Sequence, residues 1–160
     1  MSERREALLR AVWSSQDTAY DLMCEYDSLP HHYGENVLYQ AEGHMIDLIA
    51  LYPDITITDI ANILRKTPSA CSQMVRKLKS KGWVNQIRNE ENNRQVNLRL
   101  TDKGQAVYQA HQSFTENCRE LTYQKLEGFT EEELAVFVAI QTKLNEAYQG
   151  DVQRSRQRFQ

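Results

Sequence analysis

Apolar side chains recur at helical spacing along most of the chain and switch to strict alternation only once. Residues 3–27 place Leu8, Leu9, Val12, Trp13, Tyr20, Met23 and Tyr26 three or four apart, which predicts a first helix. Pro30 and Gly34 within SLPHHYGEN break it. A second helix is expected from Gln40 to Tyr52, burying Ala41, Met45, Leu48 and Ile49, with Pro53 as its stop. Thr56 and Asp59 have the spacing of a capping box and open a short helix carrying Ile60, Ile63 and Leu64. Thr67 is a good N-cap for the next helix. Pro68 stands at its first position, where a missing N–H costs nothing, and Gly82 follows where a left-handed residue is wanted.

After Gly82 the period becomes two. WVNQIR and QVNLRL alternate apolar and polar around the polar turn RNEENNR, the pattern of a β-hairpin. Thr101 then caps a helix from Asp102 to about Glu127 with the seam Val107, His111, Phe114, Cys118, Leu121 and Lys125. Thr130 and Glu133 form another capping box, opening a last helix expected to bury Leu134, Phe137, Ile140, Leu144 and Tyr148. The polar end, residues 151–160, is expected to fray. The predicted fold is mainly α with a small β-hairpin wing: a winged helix-turn-helix at 37–103, flanked by helical regions at 1–36 and 104–150.

Charge sharpens this picture more than composition does. The 160 residues are 41% hydrophobic and 26% charged, as expected of one globular domain, with no run long and apolar enough to span a membrane. The amino terminus has no secretory pattern, so a cytoplasmic location is expected. The net charge is −3, but residues 65–103 hold ten Lys/Arg against three acids, a local +7. The remainder holds nine against nineteen, or −10. One basic segment in an acidic chain points to a local site for a polyanion.

The helix TPSACSQMVRKLKSKGW explains where that site lies. At 100° per residue, Cys71, Met74, Val75 and Leu78 share an inward face, and Ser69, Gln73, Arg76 and Ser80 the opposite one, flanked by Ser72 and Lys77. Small side chains at its start let the helix approach the floor of a DNA major groove. Gln73 can pair with adenine through two hydrogen bonds, while Ser69 and Ser72 can reach bases or phosphates. Arg76 and Lys77, one turn later, suit the phosphate walls. The candidate contact set is Thr67, Ser69, Ala70, Ser72, Gln73, Arg76, Lys77 and Arg88. No G-x-S-x-G, H-E-x-x-H, P-loop or dinucleotide fingerprint appears, so enzyme chemistry is not expected. The competing reading of the same fold is a protein–protein adaptor.

From about Leu38 to Gly104 the chain resembles the MarR family of bacterial transcription regulators, through ITITDIANIL, TPSACSQMVRKLKSKGWV, the polar turn ending in Arg94, and LRLTDKG. The resemblance implies a homodimer built by the first, fifth and sixth helices, a pseudo-palindromic double-stranded operator, and Arg94 in the minor groove. It also implies repression relieved by a small effector. One departure stands out. The family's wing usually reads Asp-x-Arg, and this chain has Asn92-Asn93-Arg94, which removes charge assistance from the contact that aims the arginine.

The resemblance offers three signals. Some members sense zinc through histidines on the second and fifth helices; His44 and His111 fall at comparable places, with His31, His32, Glu42 or Glu116 as further donors. Others use a reactive thiol on the first helix, where Cys24 lies. The three cysteines, Cys24, Cys71 and Cys118, are otherwise expected to be reduced. A small aromatic effector could sit among Trp13, Tyr20, Tyr39 and Tyr108.

Overall fold

The computed structural model describes residues 2–88 and 95–159. Its elements are α1 (Glu3–Ser28), β1 (His31–Tyr33), β2 (Asn36–Leu38), α2 (Gln40–Leu51), α3 (Ile57–Leu64), α4 (Pro68–Ser80), β3 (Val84–Arg88), β4 (Val96–Leu100), α5 (Asp102–Leu126) and α6 (Glu131–Phe159). The chain divides into two compact units, 1–114 and 115–160. No helix among the described residues is long and apolar enough to cross a membrane.

Local chemistry sets the helix boundaries. Thr56 Oγ1 accepts from the Asp59 N–H at 3.2 Å, and the Asp59 carboxylate accepts from the Thr56 N–H at 2.9 Å. The Thr56 hydroxyl also donates to that carboxylate at 2.6 Å, and this bond, with the one from the Thr56 N–H, holds the Asp59 carboxyl below its usual pKa. Thr67 Oγ1 accepts from the Ala70 N–H, satisfying one orphan donor at the start of α4. Gly82, at φ +74°, turns the chain out of α4 in a conformation that L side chains rarely adopt. Thr130 and Glu133 close the predicted box at the start of α6.

The wing is a two-stranded antiparallel sheet in which Val84 pairs with Leu100 and Arg88 with Val96. A third segment adds to its edge, where the Leu98 N–H donates to the Ile55 carbonyl at 2.9 Å. The base of the wing is tied to α5 through Thr101. Its hydroxyl donates to the Gly82 carbonyl at 2.6 Å and accepts from the Gly104 N–H at 3.0 Å. Gly104 is required here, because a Cβ would lie 1.9 Å from the Trp83 carbonyl oxygen.

The core runs from Leu38 to Val107 and includes Met45, Ile46, Ile49, Ile60, Val75, Leu78, Trp83 and Leu98. Cys71, Val75 and Leu78 form the inner face of α4 as the periodicity predicts, and Met74 is half-buried beside them. Several expectations are corrected. Ala41 is exposed, and the buried positions of α2 include Glu42, Gly43 and Ile46. Ile63 is half exposed while Ala61 is buried, so α3 turns a slightly different face inward. SLPHHYGEN is not simply a break: residues 31–38 form a second small hairpin, turned at Gly34 with φ +61°.

No residue of α6 is buried among the described residues; Phe137 is 59% and Ile140 46% exposed. Periodicity finds an apolar face but does not say what covers it. Residues 151–159, expected to fray, continue α6. Gln and Arg are good helix formers, and an Arg154–Asp151 ion pair closes one turn.

Candidate nucleic-acid interface

The start of α4 is built for close approach. The turn from α3 is only Arg65–Lys66–Thr67, with Arg65 in the left-handed region at φ +53° and its N–H bonded back to α3. That short turn sets α4 against α3 while the inner face of α4 holds the core. Ser69, Ala70, Gln73, Arg76 and Lys77 are exposed and Ser72 is half-buried. Thr67 is exposed but committed to capping, and its hydroxyl lies 3.1 Å from that of Ser69. Arg88 is exposed at the end of β3. Asn92, Asn93 and Arg94 lie outside the described residues, so the wing-tip contact has no structural description.

Sequence reasoning named Glu42 only as a further zinc donor and missed its burial, at 1% exposed. Lys81 Nζ donates to both of its carboxylate oxygens at 2.7 and 2.8 Å, and Lys77 Nζ stands 3.0 Å from one of them. The Tyr39 N–H donates a further bond at 3.0 Å. Burial pushes the Glu42 carboxyl up, but Lys81, the Tyr39 N–H and Lys77 more than offset it and hold it below the usual glutamate range. Lys81 also donates to the Val37 carbonyl and lies 4.4 Å from the Trp83 ring centroid. This cluster anchors the C-terminal end of α4 to the start of α2. The one sequence signal was a glutamate three residues after Tyr39, which reads as a cap and gives no hint of burial.

The histidines separate. His44 is exposed and stands 3.3 Å from the Gln40 amide nitrogen. His111 is 2% exposed, with Nδ1 2.9 Å from the Tyr33 hydroxyl and Gly43 leaving room for its ring. Burial keeps the His111 imidazole below its ordinary pKa, against an upward push from Asp47 and with further lowering by His31 and His44. Among the described residues no group of three or more His, Cys, Asp or Glu could hold a metal ion. The zinc reading of His44 and His111 is therefore not favoured. The four candidate effector aromatics also differ in setting. Trp13 and Tyr20 are more than half exposed, Tyr108 packs against the core, and the Tyr39 ring lies under Lys77 at 5.1 Å. Cys24 is exposed on α1.

A helix packed by one face, small at its start and basic at its end, beside a two-stranded wing, is the architecture to set against known proteins. The sequence model of the MarR family matches residues 38–96. That segment carries the sequence pattern of the MarR family. Similar sequences include the uncharacterised HTH-type transcriptional regulator YhjH of Bacillus subtilis, 23% identical over 132 residues, or 82% of this chain and 71% of that one. Among solved structures, Streptococcus pneumoniae FabT in complex with DNA is 25% identical with a TM-score of 0.65, covering 92% of this chain and 97% of that one. Lactococcus lactis ZitR, described as zinc-responsive, is 22% identical with a TM-score of 0.73, covering 88% and 99%, and shares the fold. These matches support a DNA-binding transcription regulator and not an enzyme.

Proposed function

We propose that the chain acts as a homodimeric, sequence-specific repressor that a small effector releases from a pseudo-palindromic operator. The observation that carries this reading is the outer face of α4, where Ser69, Gln73 and Arg76 are exposed directly behind the packed Cys71, Val75 and Leu78. In this reading Ser69, Ala70, Ser72 and Gln73 meet base edges, and Thr67, Arg76, Lys77 and Arg88 meet phosphates. Arg94 enters the minor groove. Support for the dimer comes from the helices outside the winged segment, whose apolar side chains, among them Leu8, Trp13, Phe137 and Val138, are more than half exposed. Two recognition helices would then address half-sites about one helical turn, ~34 Å, apart.

The test is a selection of binding sites from genomic fragments, followed by titrations at several salt concentrations. Arg76→Ala is expected to weaken all sequences alike and to lower the salt slope by about one. Gln73→Ala is expected to cost about 1–3 kcal/mol and to relax preference at one base pair per half-site. Unchanged preference in Gln73→Ala would remove that residue from base reading, and salt-independent binding would remove the phosphate contacts.

A further inference from the structure

We infer that Arg65, in the turn between α3 and α4, is a further phosphate contact of the DNA interface. This role rests on the DNA-binding reading proposed above and adds to it a residue outside the outer face of α4. The described residues take a left-handed conformation at Gly34, Asp54, Arg65 and Gly82. Two of these are glycine, which adopts it freely. Asp54 is of a type that tolerates it, and its carboxylate lies 2.7 Å from the Arg99 guanidinium. Arg65, at φ +53°, has neither feature. Its N–H bonds to the Ala61 and Asn62 carbonyls and ends α3, a position that glycine or asparagine fills with less strain. A residue kept in a sparsely populated conformation where a less strained one would serve points to a use for its side chain.

The cations of the winged segment divide into those with an internal partner and those without. Lys81 is bound by both Glu42 oxygens, Lys79 Nζ donates to Gln86 Oε1 at 2.7 Å, and Arg99 pairs with Asp54. Arg65 is exposed, and its guanidinium has no hydrogen-bond or ion-pair partner among the described residues. The backbone around it is fixed all the same, because the Lys66 N–H closes onto the Ala61 carbonyl at 2.9 Å. Arg65 stands two residues before Thr67, the cap of the helix proposed to enter the major groove. A segment leading into that groove, about 12 Å wide, passes the phosphates on its rim, where side chains position the protein without reading bases. A guanidinium suits that place, since its planar fork can donate two parallel bonds to phosphate oxygens.

A cation at this point also offsets the negative end of α3, which has no basic residue in its last turn. Lys66 is exposed at the same end, so α3 does not need Arg65 for that purpose. The two roles predict different things. A dipole partner supports the fold and is indifferent to DNA, whereas a phosphate contact in a strained backbone serves the duplex at the expense of the fold. Replacing Arg65 by glycine should therefore relieve strain and weaken binding together.

The experiment compares the unsubstituted chain with Arg65→Gly and Arg65→Asn, two residues that suit a left-handed turn, and with Arg65→Lys, which keeps the charge. Each is titrated at several salt concentrations with a labelled duplex recovered from the genomic selection, and with poly(dI-dC) as an unrelated duplex. Arg65→Gly and Arg65→Asn are expected to weaken both duplexes alike, by about fivefold per half-site at about 0.15 M salt. The salt slope should fall by about one per half-site, and Arg65→Lys should recover most of it. Thermal midpoints of the glycine and asparagine variants should stay the same or rise. Unchanged affinity and slope in those two variants would leave Arg65 as a partner of α3 and overturn the inference. A loss confined to the selected duplex would make it a reader of bases, and a lowered midpoint in both variants would make it a part of the fold; either result overturns the phosphate role. Should the unsubstituted chain retain neither duplex at any salt, the DNA reading falls and this role with it. Binding by the unsubstituted chain that Arg65→Gly leaves intact removes this role alone.

Discussion

The winged segment and the long helices α1 and α6 are made from similar side chains and use them in opposite ways. All fourteen buried hydrophobic residues among those described lie between Leu38 and Val107, so that segment carries its own core. The 26 residues of α1 and the 29 of α6 include no buried residue among those described, although both have apolar faces. A helix of that length gains most of its stability from packing its apolar face, not from propensity. The difference separates two jobs: one part presents a fixed surface, and the others hold apolar area in reserve for another surface. On the proposed dimer, that surface is a second copy of the chain.

Truncating an apolar side chain in each region is the most direct way to break this distinction. Leu78 is fully buried on the inner face of α4, and Leu78→Ala is expected to cost about 2–5 kcal/mol through lost burial and a residual cavity. That loss should not depend on protein concentration. Phe137 is 59% exposed, and Phe137→Ala should leave the unfolding of the winged segment within about 0.5 kcal/mol. Its effect should instead appear as dimer dissociation at higher protein concentration. Urea unfolding followed by fluorescence, together with sedimentation across a dilution series, reads both. Equal losses at micromolar dilution would mean that the two regions do not differ in kind.

A smaller effect sharpens where the self-sufficient core ends. His111 is the buried polar residue on α5, faced by Tyr33 and His31 from β1 and by His44 and Asp47 from α2. Its folded pKa lies below that of an unfolded histidine, about 6.5, so the folded chain binds fewer protons there than the unfolded chain. Stability is then complete above about pH 6.5 and falls as pH drops toward the folded value, by at most about 1.4 kcal/mol per pH unit. His111→Gln removes that titration and should flatten the loss below about pH 6.5, at a cost in stability near pH 7.5. Urea midpoints at four pH values decide it: an unchanged slope in the variant would assign the titration elsewhere.

Much of the winged segment was legible because its signals are local. The pair Thr56 and Asp59, the start Thr67-Pro68, Gly82 and Thr101 each act through backbone groups within a few residues, so spacing alone is informative. The inner and outer faces of α4 followed from the same local periodicity. Glu42 was not legible, because its burial is decided by Lys81, 39 residues later. The β1–β2 hairpin was missed because three-residue strands in HHYGEN carry too little alternation to register. In α6 the periodicity was visible, but its cover is not supplied by neighbouring sequence. The candidate site divides the same way: α4 could be read residue by residue, while the cluster of Lys77 and Lys81 around Glu42 exists only once distant elements meet.

The smallest test applies one substitution to both regions and expects opposite signs. Gly82 has φ +74° and ends α4, and nothing stands within 4 Å of where a Cβ would be. Gly82→Ala is therefore a purely backbone change and should destabilise by about 1–2 kcal/mol, the cost of a left-handed conformation for an L residue. Gly150 lies inside α6, where alanine is favoured by up to about 1 kcal/mol. Its Cβ would come within 3.1 Å of the Arg154 guanidinium, an exposed and flexible group that can move aside. Gly150→Ala should raise the helical signal of α6 and the thermal midpoint slightly, where Gly82→Ala lowers the midpoint. A loss in both would mean that α6 bends at Gly150 for a reason of its own. A gain in both would mean that Gly82 does not need its left-handed turn, and that α4 could run on at the expense of the wing.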